Sequence, residues 1–110
     1  MRKSYKVLWS ETAENDLISI IEYIAGENPL QAGKIVGDIR KRAESLCVLP
    51  ERGRMIPELK EQGITLYREL IIGPWRMMYR VSEDSVYVLS VLDSRQNVED
   101  ILLNRLILLK

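Results

Sequence analysis

The chain has 110 residues, enough for one domain around one core and too few for two. A hydrophobic fraction of 46% with 29% charged residues excludes a disordered or low-complexity chain. Sixteen Lys+Arg balance sixteen Asp+Glu, which excludes a global field drawing the molecule to nucleic acid or an anionic membrane.

Residues 5–9 alternate Tyr5, Val7 and Trp9 with Lys6 and Leu8, which predicts a short strand. Residues 1–8 mix charged with apolar side chains and form no continuous hydrophobic run, so no secretory signal is expected. No apolar run reaches membrane-spanning length, and a cytoplasmic protein without membrane partners is the expectation. Ser10 then offers a helix N-cap, with Glu11 and Glu14 in the first turn where the helix dipole favours negative charge. Ala13, Leu17, Ile20, Ile21 and Ile24 recur at helical spacing and make one apolar face, which Gly26 ends.

Asn28 and Pro29 suit the cap and first position of a second helix, and Gln31 stands where a capping box would place it. Its apolar face runs through Ala32, Ile35, Val36, Ile39, Ala43 and Leu46 and stops before Pro50. The tight link at Gly26, Glu27 and Asn28 forces the two helices antiparallel, giving a helical hairpin. Cys47 is the single cysteine; it has no disulfide partner within the chain and falls at a core position.

Residues 51–63 lack periodicity and contain Gly53, Pro57 and Gly63, so they are expected to form an ordered loop. Residues 65–72, 75–81 and 85–92 read as three strands, and the short turns at Gly73-Pro74 and Ser82-Glu83-Asp84 make them an antiparallel meander. A last amphipathic helix, or a partner-bound segment, is expected over 100–109 through Ile101, Leu102, Arg105, Leu106 and Leu109. Leu103, Ile107 and Leu108 add apolar surface beyond what one helix face buries. The resulting fold class is α+β in the order β-α-α-β-β-β-α.

The absence of histidine removes the commonest general base and zinc ligand, and with one cysteine no metal or other cofactor is expected. Charge is uneven along the chain: residues 40–80 hold nine basic and five acidic side chains, between acidic flanks. That excess suits a phosphate or an acidic partner, and equally a solvated surface. Glu99 and Asp100 fit the dipole of a helix start better than a catalytic carboxylate pair. Trp9 and Trp75 flank strands, where such rings pack between sheet and helix, although Trp75 follows a turn and is open to exposure or base stacking.

The succession Val7-Leu8-Trp9-Ser10, Asp16-Leu17, Tyr23-Ile24-Ala25, Asn28-Pro29, Pro50-Glu51-Arg52-Gly53-Arg54, Pro57-Glu58-Leu59, Tyr67-Arg68-Glu69-Leu70, Trp75-Arg76-Met77-Met78-Tyr79-Arg80 and Val91-Leu92-Asp93-Ser94-Arg95 resembles the RelE/ParE superfamily of type II toxin-antitoxin toxins. The resemblance covers nearly the whole chain as one domain, 1–110, and implies a helical hairpin packed on a curved antiparallel sheet. It implies a cognate antitoxin as partner, with operator DNA met only through that antitoxin. In RelE-type members, strand basic residues and a terminal-region tyrosine cleave ribosome-bound messenger RNA, and Arg68, Arg76 and Arg95 match the basic positions as candidate catalytic residues. Leu70 stands where a second strand lysine is expected and Ile101 where the tyrosine is, and guanidinium does not serve as a base near neutral pH. For Arg68 the plainer alternative is pairing with Glu69 or Glu58; for Arg76 and Arg95, site and solvated surface stand open; Arg80 reads as a solvated strand face.

The long hairpin and the 53–59 loop look closer to the ParE branch, whose members poison DNA gyrase without a chemical step. Here Asp93, Arg95 and Gln96 replace the His and paired Arg often found there. The expected function is therefore a ParE-like toxin acting on gyrase. The alternatives are a ribosome-dependent mRNA endonuclease, or a non-toxic antitoxin-binding module or co-repressor.

Overall fold

The computed structural model describes the backbone of residues 4–108 and the side chains of residues 4–105. Strand β1 (Lys6–Trp9) leads into helix α1 (Glu11–Ala25), and α2 (Pro29–Glu44) runs on into a 3₁₀ turn at Ser45–Cys47. Strand β2 (Arg54–Met55) and the one-turn helix α3 (Pro57–Lys60) follow, then β3 (Tyr67–Ile72), β4 (Trp75–Ser82), β5 (Ser85–Asp93) and helix α4 (Val98–Leu108). Leu109, expected to close the last helix, lies outside the described residues. No helix among the described residues is long and apolar enough to cross a membrane.

The predicted caps form. Ser10 Oγ accepts the Ala13 amide at 3.0 Å and Asn28 Oδ1 accepts the Gln31 amide at 3.1 Å, which satisfies donors at each helix start. Pro29 occupies the first turn of α2. Glu99 and Asp100 stand in the first turn of α4, as the dipole reading expects. There Asn97 Oδ1 accepts the Asp100 amide at 3.3 Å.

The five strands lie in the order β1-β5-β4-β3-β2. The meander β3-β4-β5 is antiparallel, β2 extends it antiparallel on one edge, and β1 joins the other edge parallel to β5. The helical hairpin carries the chain from β1 on one edge to β2 on the other, and the meander then returns across the sheet to set β5 beside β1. The expected loop at 51–63 is thus partly regular, because Ile56 and Leu59 are both 1% exposed and their burial folds the segment onto the sheet. Only two residues pair as a strand, too short a span for alternation to reveal.

Two apolar clusters sandwich the sheet. Leu17, Ile20, Ile39, Ala43 and Leu46 from the hairpin meet Leu70, Met77, Tyr79, Val86, Val88 and Val91 on one face. Ile56, Leu59, Val98 and Leu102 from α3 and α4 meet Met78 and Leu92 on the other. Trp75 is 8% exposed and belongs to the hairpin side. Trp9 is half-buried, with the Arg40 guanidinium 4.8 Å from its ring centre. Cys47 is half-buried in the 3₁₀ turn rather than fully enclosed.

Ladder register shifts between Met78 and Tyr79, which pair with Ser90 and Val88 and leave Leu89 as the extra residue of a bulge. Ser10 Oγ donates to the Leu89 carbonyl at 3.2 Å, so the same hydroxyl caps α1 and satisfies the bulge. Gly53 sits under the sheet where a Cβ would lie 2.5 Å from the Glu69 carbonyl oxygen and 2.7 Å from Tyr79 Oη. Its amide donates to Tyr79 Oη at 2.8 Å. Burial of that ring pushes the Tyr79 hydroxyl pKa up, against the opposing effect of the Gly53 amide.

Candidate functional site

The three sequence-predicted arginines do not converge. Arg68 on β3 is paired with Tyr79 and therefore shares the hairpin side of the sheet, whereas Arg76 on β4 is paired with Ile71 and Leu92 and projects to the α3/α4 side. Arg95 lies beyond the end of β5, in the loop before α4.

Arg76 is enclosed. Its Nη1 and Nη2 donate to Glu58 Oε2 and Oε1 at 2.7 and 2.6 Å, and its Nε and Nη2 donate to Glu69 Oε1 and Oε2 at 2.7 and 3.1 Å. Glu69 is also held by Arg54 Nε at 2.8 Å. The Arg76 side chain is 9% exposed and that of Glu69 is 0% exposed, so this is a buried, fully paired network rather than an open phosphate clamp. Hydrogen bonds from Arg76 hold the Glu58 carboxyl below the usual carboxylate range, and the two carboxylates raise the Arg76 pKa further. The expected pairing of Arg68 with Glu69 or Glu58 is overturned: Arg76 takes both carboxylates, and Arg68 Nη1 donates to the Gly53 carbonyl at 2.8 Å. The β4 register decides this, because Arg76 and Glu69 share a face and Arg68 is on the other. Arg80 is exposed on its strand, as expected.

Arg95 is the accessible member of the trio, with 77% of its side chain exposed. Its Nη2 donates to Asp93 Oδ2 at 2.6 Å and its amide to Asp93 Oδ1 at 2.9 Å, which together hold the Asp93 carboxyl down at about 2. The guanidinium is thus presented on a short tether instead of swinging freely. It lines a groove of about 460 Å³ between α1 and the end of β5, together with Asp16, Ser19, Tyr23, Trp75, Asp93 and Gln96. Tyr23 is 71% exposed on α1 and supplies an aromatic wall. This groove, carrying the three positions at which the chain departs from the ParE pattern, is the candidate functional site.

Arg105 closes one end of it and was not singled out as a site residue by sequence. From α4 its Nη1 and Nη2 donate to Asp16 Oδ2 and Oδ1 at 2.7 and 2.9 Å, and Nη1 also donates to Ser90 Oγ at 2.8 Å. Asp16 Oδ2 in turn accepts the Val91 amide at 2.9 Å. A pair separated by 89 positions leaves no local signal.

The family model described as "ParE toxin of type II toxin-antitoxin system, parDE" matches residues 7–98. A curated relative, Toxin RelE2 of Caulobacter vibrioides, is 29% identical over 86 residues, covering 78% of this chain and 91% of that one. A solved chain of the chromosomal ParDE system from P. aeruginosa superposes with a TM-score of 0.69 at 21% identity, covering 83% of this chain and 97% of its own. A chain of the RelBE2 toxin-antitoxin complex from Mycobacterium tuberculosis gives 0.62 at 21% identity, covering 84% and 94%. The α+β architecture is common to both structures.

Proposed function

Since this chain belongs to the ParE family of type II toxin-antitoxin toxins, within the RelE/ParE superfamily, we propose that it poisons DNA gyrase by binding and is silenced by a cognate antitoxin. The observation that carries the first half is the dispersal of Arg68, Arg76 and Arg95. Phosphodiester cleavage needs cations and a proton exchanger gathered about one phosphorus. Here Arg76 is spent on two carboxylates, Arg68 faces the other side of the sheet, and the Tyr79 hydroxyl is buried against Gly53. An exposed, pre-oriented Arg95 beside Tyr23 suits recognition of a protein surface, where Arg and Tyr are favoured anchors. The antitoxin half is supported by both solved neighbours coming from toxin-antitoxin systems. A cytoplasmic site of action follows from either target.

The second reading, a ribosome-dependent mRNA endonuclease, draws on the likeness to a relative named RelE2. Inducible expression separates the two. Gyrase poisoning accumulates cleaved DNA and a DNA damage response with messages intact, and Arg95→Ala weakens gyrase capture in a graded way. Ribosome-dependent message ends without DNA cleavage would reverse the assignment. Growth indifferent to expression would leave the antitoxin-binding module or co-repressor.

A further inference from the structure

Part of the basic excess of residues 40–80 gathers on the hairpin side of the sheet, where α2 ends. Arg40, Arg54 and Arg76 are ion-paired, the last two with carboxylates on the opposite face. Arg42, Arg52 and Arg68 make no ion pair among the described residues, and they meet around one loop. Ser45 Oγ donates to the Arg42 carbonyl at 2.6 Å and accepts Arg52 Nη1 at 3.1 Å. Arg68 Nη1 donates to the Gly53 carbonyl at 2.8 Å and to the Glu51 carbonyl at 3.5 Å, so it clamps the backbone on both sides of Arg52. The absence of room for a Cβ at Gly53 fixes the path of the loop beneath the sheet. Arg42 Nε is buried without a hydrogen-bond partner among the described residues. Arg52 and Arg68 both draw the Tyr79 hydroxyl pKa down against its burial, so both charges reach the same corner. Arg52 also lines a groove of about 580 Å³ with Tyr5, Val48, Leu49, Pro50 and Glu51. Val48 is 43% and Leu49 52% exposed there.

We propose that this corner binds a free nucleotide bearing a polyphosphate, with the phosphates on Arg52, Arg68 and Arg42 and the base on the Tyr5, Leu49 and Pro50 wall. A guanidinium fork matches a phosphate group, and Arg52 and Arg68 each commit only Nη1 to protein acceptors, which leaves Nε and Nη2 to donate. The apolar wall has no task for inorganic phosphate, but it covers the face of a planar base. Exposed Glu51 beside it accepts from a sugar hydroxyl or a base amino group. A groove of this size holds a small molecule. A nucleic acid presents a charge at every nucleotide and calls for a track of cations. Here the arginines are bounded by exposed Glu44 and Glu51, and Arg54 turns to Glu69 on the other face. The sixteen residues of α2 put about 24 Å between this corner and the hairpin link. Binding here needs neither the gyrase nor the antitoxin reading.

Calorimetry on the full chain at low salt, with ATP as the probe, tests the site. ATP should bind and adenosine should not, and inorganic triphosphate should bind about tenfold more weakly than ATP for want of the base contact. Arg52→Ala should weaken ATP binding by about tenfold or more, as loss of hydrogen bonds to a charged group does. Arg52→Lys, a point charge without the fork, should lie between. Leu49→Glu, which sets a negative charge beside the ligand, should also weaken it. Arg80→Ala, an equal charge loss on the opposite face, should leave ATP binding unchanged. Arg52 and Leu49 are exposed, and circular dichroism melts within a few degrees of wild type would show that their variants fold. No ATP binding at millimolar concentration, or ATP binding that Arg52→Ala retains in full, would overturn the site. Arg52-dependent binding of a DNA duplex by a chain indifferent to ATP would overturn the nucleotide and assign the arginines to a nucleic acid.

Discussion

Replacing Arg76 does more to its neighbours than to itself. With Arg76→Ala, the fully buried Glu69 carboxylate keeps only Arg54, whose side chain is 58% exposed, so the variant should lose about 3–5 kcal/mol in a urea melt. Combining Arg76→Met with Glu69→Leu should recover most of that loss, because the pair is then replaced by apolar volume. A single variant as stable as wild type would mean that the network is not closed. Glu58 supplies a separate handle. Its folded-state pKa lies below the unfolded value, so its stabilisation is complete above about pH 4.3 and drains away as pH falls through the folded-state value. Glu58→Gln should therefore flatten the acid limb of stability below that pH and leave the neutral region's slope unchanged. The residues of this network were all visible in the sequence as charges near the strands. Their partners were not, since a one-residue difference in strand position decides which face each side chain joins.

Helix α4 is fastened to the rest of the domain by a side chain, as well as by Val98 and Leu102 in the core. Arg105→Ala removes three hydrogen bonds to charged or hydroxyl partners on α1 and β5. We expect α4 to lose about 1.5–3 kcal/mol of local stability. Its amides should exchange with deuterium tenfold or more faster while those of β4 are unchanged. Equal acceleration everywhere would mean that α4 unfolds only with the whole domain. Elements of this length were legible because periodicity accumulates: α1, α2, β3, β4 and β5 each carry several apolar positions and a recognisable cap or turn. Positive φ at Gly73 and Glu83 marks the two hairpin turns that sequence placed between the strands. The segment holding β2 and α3 was not legible, because its order comes from Ile56, Leu59 and Glu58 docking on side chains that are distant in sequence.

At the scale of the molecule, apolar exposure and charge act together. Leu30 is 89% exposed and Tyr23 71% exposed on the helical hairpin, and Leu66 is 61% exposed before β3, while the chain as a whole carries no net charge. With no net repulsion to oppose contact between such surfaces, the isolated protein should self-associate in sedimentation experiments at neutral pH. The effect should weaken in a Leu30→Lys, Leu66→Lys variant, which removes apolar surface and adds charge together. Antitoxin should act differently from these substitutions. If it covers these exposed side chains, it should dissolve the oligomers of wild type at one equivalent. A wild-type chain that stays monomeric at high concentration would show that these exposed side chains are scattered too sparsely to form a contact. The partner would then be needed to block the target surface rather than to keep the toxin in solution.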